Sequence, residues 1–460
     1  MSEIKPKKIQ QISVNGLFGI FDHVIPLNLN ERITIMHSPN GFGKTTMLRM
    51  LNGFFNSRYS VFRTIPFSKF QVGFNDGSRV EVIKTSETLK KLKSKENISF
   101  NFYKNGTSNE PFLLKAKQSP QDLPFSVDML DEMIPELVRL GSRIWRHIPT
   151  GENLSLNEVI ERFEDVLPPK KSREEPEWLE KLKLDIHVRL IESQRLLNFG
   201  ASSRSPRSYA SGGSSMSTVS AYSAEIAQLI QFKLAEYGTI AQSLDRTFPA
   251  RVVRQRLSSE LTIDELREQL VELEETRSRL IKVGLLDKED NSDFQIPQSI
   301  DESTKNILSV YVEDAERKLS VFNEIASKFD LLRRIINDKF SYKEMNFDKD
   351  KGFIFNTDAR FFGDSLSSSA RPTLSPTDLS SGEQHELVLL YELLFKVEPD
   401  SLVLIDEPEL SLHVGWQAQF LNDLQEITKL AKLDVLMATH SPDIIQDRWD
   451  LTMELKGIEK

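Results

Sequence analysis

Three separated stretches of this chain carry residues whose types and spacing suit phosphate chemistry. The first is SPNGFGKTT, residues 38–46. Gly41 and Gly43 let the backbone approach phosphate oxygens with no side chain in the way, and the amides at the start of the following helix then face the anion. Lys44 is placed to neutralise β- and γ-phosphates, and Thr45 to offer its hydroxyl to Mg²⁺. The strict form of such a loop begins with Gly, where this chain has Ser38. The second stretch, LVLIDEPELSLH (402–413), is an apolar run ending in two adjacent carboxylates. At the C-terminal edge of an open α/β sheet, Asp406 would meet Mg²⁺ and Glu407 would polarise the water that attacks a γ-phosphate. The third, ATHSPDII (438–445), ends a further strand on His440, which suits a γ-phosphate contact.

A fourth stretch is ambiguous alone. LSSGEQHELVLLYELLF (379–395) puts two serines and a glycine ahead of a Leu-rich helix. Small residues and free amides at a helix N-terminus form an anion site, but they also make an ordinary helix start.

The elements needed to hold these residues are legible around them. RITIMH (32–37) reads as a short strand feeding the loop, and KTTMLRMLNGFF as the helix that follows. FSKFQVGFNDGSRVEVIK (67–84) alternates apolar and polar residues about Asn75-Asp76-Gly77, the pattern of a hairpin, and NISFNFYKNG adds a strand. From about 125 to 345 the pattern turns helical. Ile263, Leu266, Leu270, Leu273 and Leu280 form one stripe, broken by Arg277. Leu308, Tyr311 and Ala315, then Phe322, Ile325, Phe329, Leu332 and Ile336, form another. Separated by DKEDNSDFQIPQSID, these stripes predict an antiparallel helix pair, either packed on a core or projecting as a short coiled-coil arm. GASSRSPRSYASGGSSMS (200–217) has almost no large apolar groups and reads as a loop.

After residue 350, the strands GFIFNT, SLVLID (401–406) and DVLMATH (434–440) alternate with helices over 382–396 and 415–431. That rhythm predicts a parallel sheet. The expected architecture is a split α/β domain. Residues 1–124 and 346–460 would form its two lobes, with a helical insertion over 125–345 between them.

Bulk properties narrow the class. At 460 residues the chain has room for two or three domains. No window approaches the roughly 18 apolar residues of a membrane span, and MSEIKPKKIQ is no signal peptide. No membrane association is expected. With no cysteine, disulfides, thiolate catalysis and cysteine-ligated metals are excluded, which fits a cytoplasmic location. The net charge of −9 argues against a chain basic all over. Two basic stretches remain open to DNA binding or to simple solvation: TLKKLKSKEN (88–97), with Lys90, Lys91, Lys93 and Lys95, and LPPKKSREE (167–175).

The order of phosphate loop, LSSGE, LVLIDE and His-terminated strand resembles the ABC-type P-loop ATPase head. The likeness is to the branch containing SMC and DNA-repair ATPases, and especially to the ATPase components of bacterial anti-phage systems. The ATPase subunit of PARIS-type systems is the nearest in pattern, with Septu-type subunits next. The resemblance covers both ends of the chain.

It implies ATP and Mg²⁺ as ligands, ATP hydrolysis, and a head-to-head homo-dimer or higher homo-oligomer. By resemblance, Ser38, Asn40, Gly41, Phe42, Gly43, Lys44, Thr45 and Thr46 bind nucleotide. Thr45 and Asp406 hold the metal, and Lys44, Glu407 and His440 are catalytic. The signature residues Ser380, Ser381, Gly382 and Glu383 would cap the nucleotide held by the other copy, with Ser380 and Gly382 at its γ-phosphate. Glu383 stands where the transporter version has Gln. The D-loop would fall at Ser411, Leu412 and His413. The glutamine loop has two candidates, Gln194 in HVRLIESQRLL (187–197) and Gln71 in the hairpin, with Gln194 favoured.

Arg246 and Arg251, in SLDRTFPARVV (243–253) near a strand-like break, match a segment that recurs in related ATPases, without a role that can be derived. Twenty residues follow His440, so no second catalytic domain is expected there. Any nucleic-acid cleavage would then come from a separate effector, a Toprim nuclease in the PARIS likeness or an HNH nuclease in the Septu one. The alternatives are an ATP-stabilised scaffold and a DNA-binding repair-type ATPase with little turnover.

Overall fold

Ile33–His37 and Leu402–Asp406 are short apolar strands, each buried over its first four residues. Continuous apolar runs of this kind suit strands covered on both faces, as in parallel sheets. In the computed structural model both belong to one five-stranded parallel sheet. Its order is Val188–Glu192, Leu402–Asp406, Asp434–Thr439, Ile33–His37, Thr452–Glu454. A strand from the start of the chain therefore lies between two from its end, and the α/β fold is split as expected. The structure describes residues 6–87, 95–104, 106–114, 126–134, 137–148, 151–163, 167, 175–192, 218–254, 262–287, 301–357 and 373–457.

The chain forms two units, one built from residues 1–212 and 396–460 and the other from 213–395. In the first unit an antiparallel sheet runs Phe21–Pro26, Ile9–Leu17, Lys69–Phe74, Arg79–Glu87, Lys95–Lys104, with Thr107–Ser108 and Phe112–Leu114 both pairing on the last of these. The helix Lys44–Phe55 shares one core with both sheets. Its Leu48, Leu51 and Phe54 cluster with Phe70, Val72 and Phe100 of the antiparallel sheet and with Leu404 and Leu436 of the parallel one. That helix is thus fixed by buried apolar contacts on its flanks.

The helical pattern expected from residue 125 onward does not hold over its first part. Leu137–Gly141, Ile144–His147 and Asn153–Ser155 form a three-stranded antiparallel sheet over a core centred on fully buried Trp145. These strands are three to five residues long, too short to show a period against a charge-rich background. The strand Val188–Glu192 pairs with Leu402–Asp406 and ties its surroundings to the first unit. The units accordingly divide at 212/213 and 395/396 rather than at 124/125 and 345/346.

The second unit is mainly helical. Thr218–Arg254 is a single helix of 37 residues with Pro249 inside it. SLDRTFPARVV is therefore helical, not a strand-like break, and its Asp245 and Arg251 pair with Lys318 and Asp314 of the helix Glu302–Leu319. The stripes predicted to pair do so: Leu266 and Leu270 of Ile263–Lys282 pack on Leu308 and Val312 of Glu302–Leu319. Asn323–Lys339 is a separate helix that begins after a short 3₁₀ turn at Ser320–Phe322 and carries the rest of the second stripe.

GFIFNT (352–357) does not join the parallel sheet. It is antiparallel to Lys343–Asp348, across a turn in which Asp348 Oδ1 accepts the N–H groups of Asp350 and Lys351, both at 2.8 Å. The helix expected over 382–396 is Ser381–Tyr391 followed by a π-helical turn, Glu392–Lys396. Among the described residues no helix is long and apolar enough to cross a membrane. The loop expected at 200–217 lies outside the described residues.

Candidate active site

The loop between Ile33–His37 and Lys44–Phe55 owes its shape to two glycines. Gly41 and Gly43 both have φ of +86°, a left-handed conformation that costs other residues about 1–2 kcal/mol. They differ in their surroundings. A Cβ on Gly43 would lie 2.5 Å from Leu17 Cδ2, whereas one on Gly41 would meet nothing within 4 Å. Pro39, Asn40 and Gly41 form an exposed crest, while Ser38 and Lys44 beneath it are buried.

Lys44 Nζ donates to Ser38 O at 2.8 Å and to Pro39 O at 3.3 Å, and it lies 3.3 Å from His440 Nδ1. Burial lowers its pKa from the usual lysine value, a shift opposed by the carboxylates of Glu407, Glu409 and Asp406. Thr45 Oγ1 donates to Asp406 Oδ1 at 3.0 Å. Burial pushes Asp406 up to about 6, against the lowering effect of the Thr45 hydrogen bond and with a further upward push from Glu407.

Glu407 leaves the strand in a left-handed conformation, φ 46° and ψ 60°, and Pro408 follows it into a short 3₁₀ turn. Its N–H donates to Ala438 O at 2.9 Å. The kink turns the chain out of the sheet at the edge where open α/β sheets bind ligands. His440 Nε2 lies 3.4 Å from Glu407 Oε1. With Nδ1 accepting from the Lys44 ammonium, the proton belongs on Nε2, facing Glu407; one neutral tautomer satisfies both contacts.

These residues fit a magnesium triphosphate. Adjacent oxygen ligands of an octahedral Mg²⁺ with bonds of 2.0–2.1 Å lie about 3 Å apart, and the Thr45 and Asp406 oxygens are already 3.0 Å apart. The model of the AAA ATPase domain matches residues 8–445. This chain belongs to the AAA ATPase domain family.

Solved structures similar to this AAA ATPase chain include three Smc heads. One is the Smc head domain of Pyrococcus furiosus with an extended coiled coil, bound to the C-terminal domain of ScpA: 12% identity, 98% of this chain and 94% of that one covered, TM-score 0.33. The others are the SMC head domain of Thermotoga maritima (10%, 95% and 91%, TM-score 0.31) and the Smc head domain of Pyrococcus yayanosii with a coiled coil and joint (10%, 95% and 93%, TM-score 0.29). Scores this low leave the functional reading to the chain's own residues. No curated protein matches the chain.

One residue of the candidate site is not among those the motifs predict. Glu409 accepts the backbone N–H of His440 at 2.6 Å and the Thr439 hydroxyl at 2.9 Å, holding the end of the third strand. Its signal is a third acid in DEPE, where the turn begun by Pro408 folds the chain back over the sheet edge. Phe42 is anchored through its carbonyl, which accepts from His23 Nε2 at 2.9 Å, and its ring stacks on Phe21. Thr46 is half-buried in the first turn of the helix.

Of the remaining predicted residues, Ser411 donates to Pro408 O at 3.2 Å, Leu412 is buried and His413 caps the helix Val414–Ala431. Gln194 lies outside the described residues. The strand leading toward it ends at Glu192, which is opposite Asp406 in the sheet and pairs with Arg49 at 3.0 Å. Gln71 sits mid-strand, opposite Ser13 and Glu81. Lys90, Lys91 and Lys93 lie outside the described residues, as does most of 167–175.

The signature residues form the start of the helix Ser381–Tyr391 in the second unit. Ser380 is its N-cap, Ser381 is exposed and Gly382 is half-buried. Glu383 closes a capping box with Ser380 and is bonded to Lys343. Arg251 pairs with the buried Asp314 within the same unit, a structural contact that accounts for its position.

Proposed function

We propose that this AAA ATPase is a molecular switch that binds and hydrolyses ATP, closes head to head around the nucleotide, and through closure controls a separate effector. The observation that carries the reading is the convergence of Lys44, Thr45, Asp406, Glu407 and His440 at one edge of the parallel sheet. The backbone amides after Gly41 and Gly43 receive the phosphates. Lys44 exchanges the carbonyls of Ser38 and Pro39 for phosphate oxygens, which are stronger, charged acceptors. Thr45 and Asp406 would hold Mg²⁺, which neutralises charge on the β- and γ-phosphates. Glu407 orients and deprotonates the attacking water, and His440, fixed by Glu409, keeps Glu407 in place beside the γ-phosphate.

Ser380 and Gly382 of a second copy complete the site from across the interface. What supports a Toprim or HNH nuclease effector, and a role in cytoplasmic anti-phage defence, is the order of the motifs along the chain.

The substitution Glu407→Gln keeps an acceptor oxygen and removes the base. Turnover is expected to fall by about 10²–10⁴-fold, with ATP retained and an ATP-dependent dimer accumulating in light scattering. Turnover equal to that of the unaltered protein would overturn the assignment.

A further inference from the structure

An acidic residue in the signature raises an electrostatic problem. Glu383 places a carboxylate in the first turn of the helix whose N-terminus, on the reading above, must receive a γ-phosphate. That carboxylate accepts the Ser380 N–H and the Ser380 hydroxyl, both at 2.8 Å on Oε2. It therefore competes for the very hydroxyl the phosphate needs, and it repels an approaching anion.

Lys343 answers both difficulties. Its ammonium bonds both carboxylate oxygens of Glu383 at 2.7 Å. Burial tends to raise the Glu383 pKa, but the contacts from Lys343 and Ser380 outweigh it and hold the carboxyl below its usual value. A capping box by itself needs no lysine. Among the described residues three other boxes, Ser155 with Glu158, Thr262 with Glu265 and Ser375 with Asp378, leave the acid exposed. Among the described boxes, the one at the signature alone has its acid buried and bonded through both oxygens to a lysine. One turn further along, Glu386 pairs with Lys339, so two acids three apart face two lysines four apart.

We infer that Lys343 is a positioning residue for the signature serine: by neutralising Glu383 it weakens that carboxylate's hold on the Ser380 hydroxyl and lets an acidic signature turn accept the γ-phosphate of a nucleotide held by a second copy. The inference rests on the head-to-head switch proposed above. A salt bridge kept only as a brace would serve no such end, and the two roles separate by experiment.

In the Glu407→Gln background, Lys343→Met should weaken ATP-dependent association by about 10–100-fold. Binding of a fluorescent ATP analogue to the monomer should stay unchanged, because Lys343 does not belong to the phosphate loop. With Glu407 intact, kcat should fall at unchanged KM. Adding Glu383→Gln to Lys343→Met should restore association, since the uncompensated charge is gone, and Lys343→Arg should retain it. A simple brace predicts the opposite for the double variant, which lacks the ion pair and would remain defective. Undiminished association in Lys343→Met, or no recovery in the double variant, overturns the inference alone. Failure of Glu407→Gln itself to associate with ATP overturns the switch and this inference with it.

Discussion

The Thr45 hydroxyl donates a 3.0 Å hydrogen bond to Asp406, joining residues 361 positions apart in the chain. That single contact brings the phosphate loop to the end of the acidic strand. It also leaves Asp406 in a setting that disfavours its charge. Burial is the main cause, Glu407 and Glu192 add to it, and Thr45 and Arg49 oppose it.

Metal-free protein should be stabilised by Asp406→Asn at pH 8. The folded-state pKa of about 6 stands above the ordinary 3.8, so the native state holds the proton more tightly than the unfolded chain. This group's stabilising contribution is complete below about pH 4 and is lost as pH rises through 6. Removing the charge should recover on the order of 1–2 kcal/mol at pH 8 after allowance for solvent screening, and little at pH 4. Urea denaturation at the two pH values measures the difference. On the proposed function, turnover should be lost in the same variant, because a side chain that would hold Mg²⁺ is gone.

The two loop glycines should respond differently to alanine. Gly43→Ala meets both left-handed strain and the Leu17 side chain, and should cost roughly 2–4 kcal/mol. Gly41→Ala meets the strain alone and should cost about 1–2 kcal/mol. Adding Leu17→Ala to Gly43→Ala would open the space the new methyl needs, so the loss attributable to Gly43→Ala should shrink in that background. Thermal melts of the unaltered protein, the three single variants and the Leu17→Ala/Gly43→Ala double variant check this; equal costs at both glycines would contradict the packing difference.

Glu409→Gln should slow turnover about tenfold with little change in KM. The carboxylate makes charge-assisted hydrogen bonds to the His440 N–H and the Thr439 hydroxyl, worth about 1.5–3 kcal/mol in comparable settings. It acts on the position of His440 rather than on nucleotide directly. Steady-state kinetics decides the point: a rise in KM at constant kcat would mean that Glu409 serves binding instead.

Local features of this chain could be read without coordinates. The glycine-rich turn before Lys44, the turn at Asn75-Asp76-Gly77, the apolar run ending on Asp406 and the helix start after the serines at 380 and 381 each depend on neighbours within a few residues. Backbone sterics and helix capping act over that range, so residue type and spacing suffice to declare them.

Tertiary structure decided what depends on partners far along the chain. It seated Ile33–His37 between Asp434–Thr439 and Thr452–Glu454, made strands of 137–155, turned GFIFNT into a hairpin arm and kept 243–253 helical despite Pro249. It also chose Glu409 to hold His440 and Lys343 to hold Glu383. Hydrophobic periodicity says that a segment will be buried, but not against what. Strand pairing and buried ion pairs select their partners only when the chain closes, because their free energy lies in contacts between distant residues.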